Sequence, residues 1–127
     1  MKLWQSLYSM VWLCLFTLIA ASLDVIPWKA PVHAALGLAV LGLAFRNRAA
    51  LARSQAPARL KRISAATAFI SVMAAVTGAL MAVPPLHFLD VLWRVLHLCT
   101  IVAITTQAGS VATAYDMWEE KEFAPPA

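Results

Sequence analysis

His33, His87 and His97 all fall in or beside long apolar segments, and two of them share a segment with Asp90 and Arg94. At about 100° per residue, His87, Asp90, Arg94 and His97 lie on one helical stripe less than a quarter-turn wide. Ionisable groups inside an apolar span are costly and point to a function, so the stripe is expected to face the bundle interior or a cavity. Asp24, at the end of the first apolar run, lies at a similar depth and can join it. His33 sits early in the second run, with Gly37 one turn later, where a flat group can lie against the backbone. Neutral imidazole is a good metal ligand, so ligation and charge pairing are the chemistry these residues offer.

The segments that carry them are those of a membrane protein. Of 127 residues, 62% are hydrophobic and 13% charged, against about 25% charged in a typical soluble domain. A water-soluble fold of this size has too little interior to hide that much apolar surface. The sequence predicts an all-α integral membrane four-helix bundle, up-down-up-down, with spans at about 3–26, 31–47, 62–83 and 86–115. The first run resembles a secretory signal at its start but exceeds an ordinary signal core, so it reads as a retained span. Pro27, Pro31 and the Pro84–Pro85 pair punctuate the turns. Residues 48–61 read as a basic loop, and 116–127 as an acidic, proline-ended tail.

Arg46, Arg48, Arg53, Arg59, Lys61 and Arg62 crowd the second turn, which the positive-inside rule assigns to the cytoplasm. Both termini are then cytoplasmic, in a multi-pass protein of the inner (plasma) membrane. The net charge of +4 thereby reads as a topology signal, with no nucleic-acid partner implied. The expected partners are the lipid bilayer and other membrane or outer-face redox subunits.

A His-x-x-x-Gly on one helix beside a histidine on another resembles small membrane b-type cytochromes, four-helix bundles in which two imidazoles hold one haem. The resemblance implies that His33 and His97 are the axial, metal-binding ligands. It also implies that Gly37 makes room for the macrocycle and that Arg94 meets a propionate. The implied cofactor is haem b, and the implied role is electron transfer between an outer-face partner and quinone or another redox centre. Depth sets a condition. His97 lies about 15 Å in from Leu86, and His33 about 3 Å from Pro31 or 9 Å from Pro27. Pairing them needs the longer second helix and some tilt, whereas His87 matches His33 in depth at a shallower, wetter site.

Each residue also has a plainer reading. A histidine or arginine near a helix end often anchors at the interface or bonds a neighbouring helix. Asp90 and Arg94, at i and i+4, suit a structural ion pair. Met10, Met73 and Met81 suit packing, and the tryptophans suit interfacial anchoring. Cys14 and Cys99 read as small buried hydrophobes with no disulfide between them. Thr105, Thr106 and Gln107 form a polar patch suited to a quinone headgroup or to interhelical hydrogen bonds. Zinc and copper sites normally need more ligands than two helices clearly offer here. No GxGxxG, P-loop or nucleophile elbow occurs, so any enzymatic role is that of an electron-transfer component. A cofactor-free accessory or assembly subunit of a larger complex is the alternative. A small oligomeric transporter using Asp24, Asp90 and Arg94 is the second.

Overall fold

A computed structural model describes residues 1–22 and 28–123. Four long helices form: α1 (Leu3–Ser22), α2 (Lys29–Arg53), α3 (Ala58–Met81) and α4 (Asp90–Phe123). A short 3-10 helix (Pro84–Leu89) precedes α4. All four are long and apolar enough to cross a membrane. Each helix packs against its neighbours in the order α1, α2, α3, α4 and back to α1, while the backbones of the diagonal pairs α1 and α3, and α2 and α4, stay apart. The expected up-down-up-down membrane bundle is present. Asp24 lies outside the described residues.

Proline placement accounts for most of the boundaries. Pro31 falls in the first turn of α2, where its missing N–H has no helical partner to lose. Pro57 immediately precedes α3, and its carbonyl accepts the first turn's N–H from Leu60 at 3.0 Å. The Pro84–Pro85 pair stops α3 from continuing and directs the chain into the 3-10 turn. At the end of α2, the Ser54 hydroxyl and backbone N–H both donate to Leu51 O. The Lys61 ammonium donates to Ser54 O at 2.7 Å, placing a cation at the negative end of the helix dipole.

Two expected boundaries are corrected. The basic loop shrinks from 48–61 to residues 54–57, because α2 runs on to Arg53 and α3 starts at Ala58. Its Arg, Lys, Ala and Leu residues are strong helix formers, and Pro57 suits a helix start. The six cations therefore line two helix ends. The acidic tail is likewise helical through Phe123, and its Asp116 accepts a hydrogen bond from the Tyr8 hydroxyl at 3.3 Å.

The interior is small and partly polar, the exterior large and apolar. Ser6, Thr17, Asn47, Ser64, Thr67, Ser71 and Thr77 are buried, while Phe69, Phe88, Val91 and Leu98 are exposed. That inversion fits helices packing in lipid, where small and hydroxyl side chains let backbones approach. At the basic end, Leu7, Leu51, Leu60, Val111 and Tyr115 pack together. Next to them Asn47, only 2% exposed, accepts from the Ser6 hydroxyl and donates to the Ser6 carbonyl at 3.4 Å. Thr67 hydrogen-bonds Gln107 across α3 and α4 at 2.8 Å. This half leaves a void of only about 10 Å³. Buried interhelical hydrogen bonds hold this half alongside its apolar packing.

Candidate functional site

The opposite half of the bundle is open. A cavity of about 630 Å³ lies between all four helices, lined by His33 and Gly37 of α2, His97 and Thr105 of α4, and Cys14 and Thr17 of α1. From α3 it receives small residues along its length, Ser71, Ala74, Ala75, Gly78 and Ala79, with Met81 at the end and Ala82 just beyond it. The volume is that of a site for a cofactor-sized ligand, and the lining is mostly apolar with a few convergent polar groups.

His33 and His97 meet there. Their ring centroids are 6.1 Å apart and their planes are inclined by 65°. Depth is reconciled by where the helices begin. The α-helical part of α4 starts at Asp90, so His97 lies about 10 Å in, and His33 lies about 6 Å from Lys29.

Each ring is fixed by the helix next to its own. His33 Nδ1 is 3.2 Å from Thr17 O on α1, and His97 Nδ1 is 2.9 Å from Ala74 O on α3. A carbonyl only accepts, so in each bond Nδ1 carries the proton and donates it. The neutral imidazole then has its lone pair on Nε2. Such a bond fixes tautomer and ring orientation in the way that supports metal-ligating histidines. The Thr77 hydroxyl, 3.2 Å from the same Nδ1, adds a polar neighbour to His97.

Glycine has two different uses here. A Cβ on Gly78 would stand 3.2 Å from His97 Cε1, so the bare backbone lets the imidazole lie flat against α3. A Cβ on Gly37 would meet no atom within 4 Å, so that position borders empty space in the cavity.

The polar stripe is only partly assembled. His87 sits on the 3-10 helix, exposed, and does not line the cavity. The 3-10 turn breaks the α-helical phase before Asp90, so the spacing that linked His87 to His97 does not apply. Arg94 is also off the cavity: its side chain is 71% exposed and its Nε bonds Asp90 Oδ2 at 2.7 Å. Three residues along a helix displace Arg94 by about 60° from His97, enough to carry it from the cavity edge to the outer face. The expectation that the whole stripe faces inward is therefore corrected for His87, Asp90 and Arg94, none of which lines the cavity, while the i, i+4 ion pair is present.

The Thr105–Thr106–Gln107 patch is not one site. Thr105 lines the cavity, Thr106 is exposed, and Gln107 turns to Thr67. Consecutive helical residues point about 100° apart and cannot converge. Cys14 is buried and Cys99 exposed, both as free thiols, which corrects the expectation of burial for Cys99.

Sequence reasoning missed the Thr17 and Ala74 carbonyls, Thr77, and the Ser6–Asn47 pair. Asn47 was legible as an amide between two arginines inside a helical run. Backbone carbonyls carry no sequence signal at all. Among the described residues, no group of three or more His, Cys, Asp or Glu side chains is placed to hold a metal ion. Compared with known proteins, the chain matches no family model, no curated protein and no solved structure.

Proposed function

We propose that this chain is a membrane subunit that binds one haem b between His33 and His97 and carries electrons through it. The observation that supports this reading is the pair of imidazoles that meet from α2 and α4, helices on opposite sides of the bundle. Each donates Nδ1–H to a backbone carbonyl and keeps an Nε2 lone pair for a metal.

The donor set suits this group better than a bare ion. Zinc wants about four protein ligands, or three with water, and only two imidazoles converge here. A macrocycle supplies the four equatorial ligands itself and needs two axial ones. His33 and His97, with ring centroids 6.1 Å apart, would be the residues that hold such a group. The small residues of α3 and the open space at Gly37 provide room for a flat ring system.

When bound, haem supplies a one-electron redox couple whose potential the axial ligands and surroundings set. The chain's own part is to hold two neutral imidazoles and to surround them with apolar walls. Six cations at the α2–α3 turn favour a cytoplasmic position for that end, in the plasma membrane, with both termini inside. The histidine end then faces outward, toward an outer-face redox partner.

An absorbance spectrum of the protein purified from haem-replete cells tests the reading. The expected result is a Soret band with the sharp visible bands of a six-coordinate haem, and one haem per chain by pyridine haemochrome. A preparation with neither ends it.

A further inference from the structure

Among the described residues, those that line the cavity and are also exposed lie on α2 and on α3 with the residue that follows it, whereas those from α1 and α4 are buried or half-buried. On α2 they are Ala30, Pro31, Ala34 and Leu38, on α3 Ala75 and Ala79, and just beyond α3 Ala82. The cavity thus opens sideways through a slot between these two helices, walled mainly by alanine. Leu38 is about 14 Å along α2 from Lys29, so the slot reaches well into the depth of the hydrocarbon.

What the cavity offers an entering molecule is one-sided. The Thr17, Ser71 and Thr105 hydroxyls donate to Leu13 O, Thr67 O and Ile101 O of their own helices, at 2.7, 2.8 and 2.9 Å. Their hydrogens are spent inside their own helices, so these hydroxyls have only acceptor capacity left, as each imidazole has at Nε2. An acyl chain meets apolar walls there but makes no use of these acceptors. A flat apolar ring system that brings an electron-accepting metal gains two ligands and an apolar sleeve.

We infer that the α2–α3 slot is a lateral doorway through which a porphyrin dissolved in the bilayer reaches His33 and His97. This rests on the haem reading and adds the route: loading is from the membrane and passes between Ala34 and Ala79. Side chains at these positions are small because the doorway has to pass a flat ring.

The test uses the full chain, in apo form, in phospholipid nanodiscs, with hemin or metal-free protoporphyrin IX supplied through the lipid. Three proteins are compared: the parent, Ala34→Trp/Ala79→Trp, and Val95→Trp. Val95 is exposed on α4 away from the cavity. The parent and Val95→Trp are expected to take up both porphyrins, and the double variant to lose uptake while remaining helical and monodisperse. Uptake by the double variant equal to that of the parent overturns the doorway. Because tryptophan can also fill the cavity, a second measurement separates route from room. Ala34→Cys/Ala79→Cys in a Cys99→Ala background is loaded with hemin first and then labelled with a bulky maleimide. Release of hemin to a soluble acceptor protein is expected to slow after labelling, and unchanged release overturns the proposal. If the parent takes up protoporphyrin through the slot but hemin gives no imidazole-ligated spectrum, the haem reading fails and the doorway stands. If the parent takes up neither, both fail.

Discussion

His33 Nδ1 is tied to the Thr17 carbonyl at 3.2 Å, across the first helical hairpin, and His97 Nδ1 is tied to the Ala74 carbonyl at 2.9 Å across the second. The two bonds impose one tautomer on both rings and turn two histidines from different helices into a matched pair of Nε2 donors. Either ring without its carbonyl would be free to rotate about its side-chain bonds, and the pair would lose its fixed orientation.

On the proposed haem reading, replacing either ring removes one of the two protein ligands. His33→Ala and His97→Ala are each expected to abolish the six-coordinate haem spectrum while leaving helix content by circular dichroism unchanged. Imidazole added to the medium is expected to restore part of it, because the truncated side chain leaves space for a free ligand. A variant that keeps the parental spectrum without imidazole contradicts the ligand assignment.

Gly78 makes a sharper test because it is not a ligand. A methyl group there stands 3.2 Å from His97 Cε1, so Gly78→Ala pushes the ring by a few tenths of an ångström and Gly78→Val pushes it further. Perturbing the support of a metal-bound histidine typically weakens binding about 10–100-fold. Haem affinity is expected to fall in the order Gly, Ala, Val, as measured by transfer to an acceptor protein. Gly37→Ala, which meets no atom within 4 Å in the empty cavity, is expected to matter only when the cavity is occupied.

Arg94 is expected to be dispensable for the cofactor. It is 71% exposed, bonded to Asp90, and outside the cavity. Arg94→Gln should leave the haem spectrum unchanged and cost about 0.3–0.5 kcal/mol or less, as exposed i, i+4 pairs do. A blue-shifted or absent Soret band in this variant would return Arg94 to the site.

Stability should concentrate at the other end of the bundle. Asn47→Ala removes the amide that both accepts from and donates to Ser6. Interhelical hydrogen bonds in membranes average about 0.6 kcal/mol and reach about 1.7. The lost packing adds to that, so a destabilisation of about 1–2 kcal/mol is expected in detergent unfolding titrations. The haem spectrum at full folding should be unaltered, because Asn47 does not line the histidine cavity.

Orientation is tested by charge. Replacing Arg46, Arg48, Arg53, Arg59 and Arg62 with Gln removes most of the bias that favours a cytoplasmic α2–α3 turn. Reporter fusions at the C-terminus are expected to change from a single inside location to a mixed population. Lys61 is retained because it caps α2 through Ser54 O.

The bundle was legible in the sequence because apolar run length and proline placement are strong local signals. The ends were less so. Nothing in Arg46 to Arg62 distinguishes a charged loop from charged helix ends, since arginine and lysine are good helix formers that also snorkel. At the site, His33, His97 and Gly37 were found by type and spacing, and their convergence followed from helix starts that the sequence places only to within a turn. His87 was misplaced because two prolines changed the helical phase ahead of Asp90. Gly78 offers the sequence reader only its small size, and its contact with His97 depends on the α3–α4 register.

The two carbonyl-anchored rings also have an architectural consequence. His33 and its anchor belong wholly to the α1–α2 hairpin, and His97 and its anchor to the α3–α4 hairpin. Neither hairpin alone can offer two axial donors. A ligand that requires both rings is thus a clasp between the two halves of the chain, and its capture is a checkpoint that only a fully assembled bundle can pass.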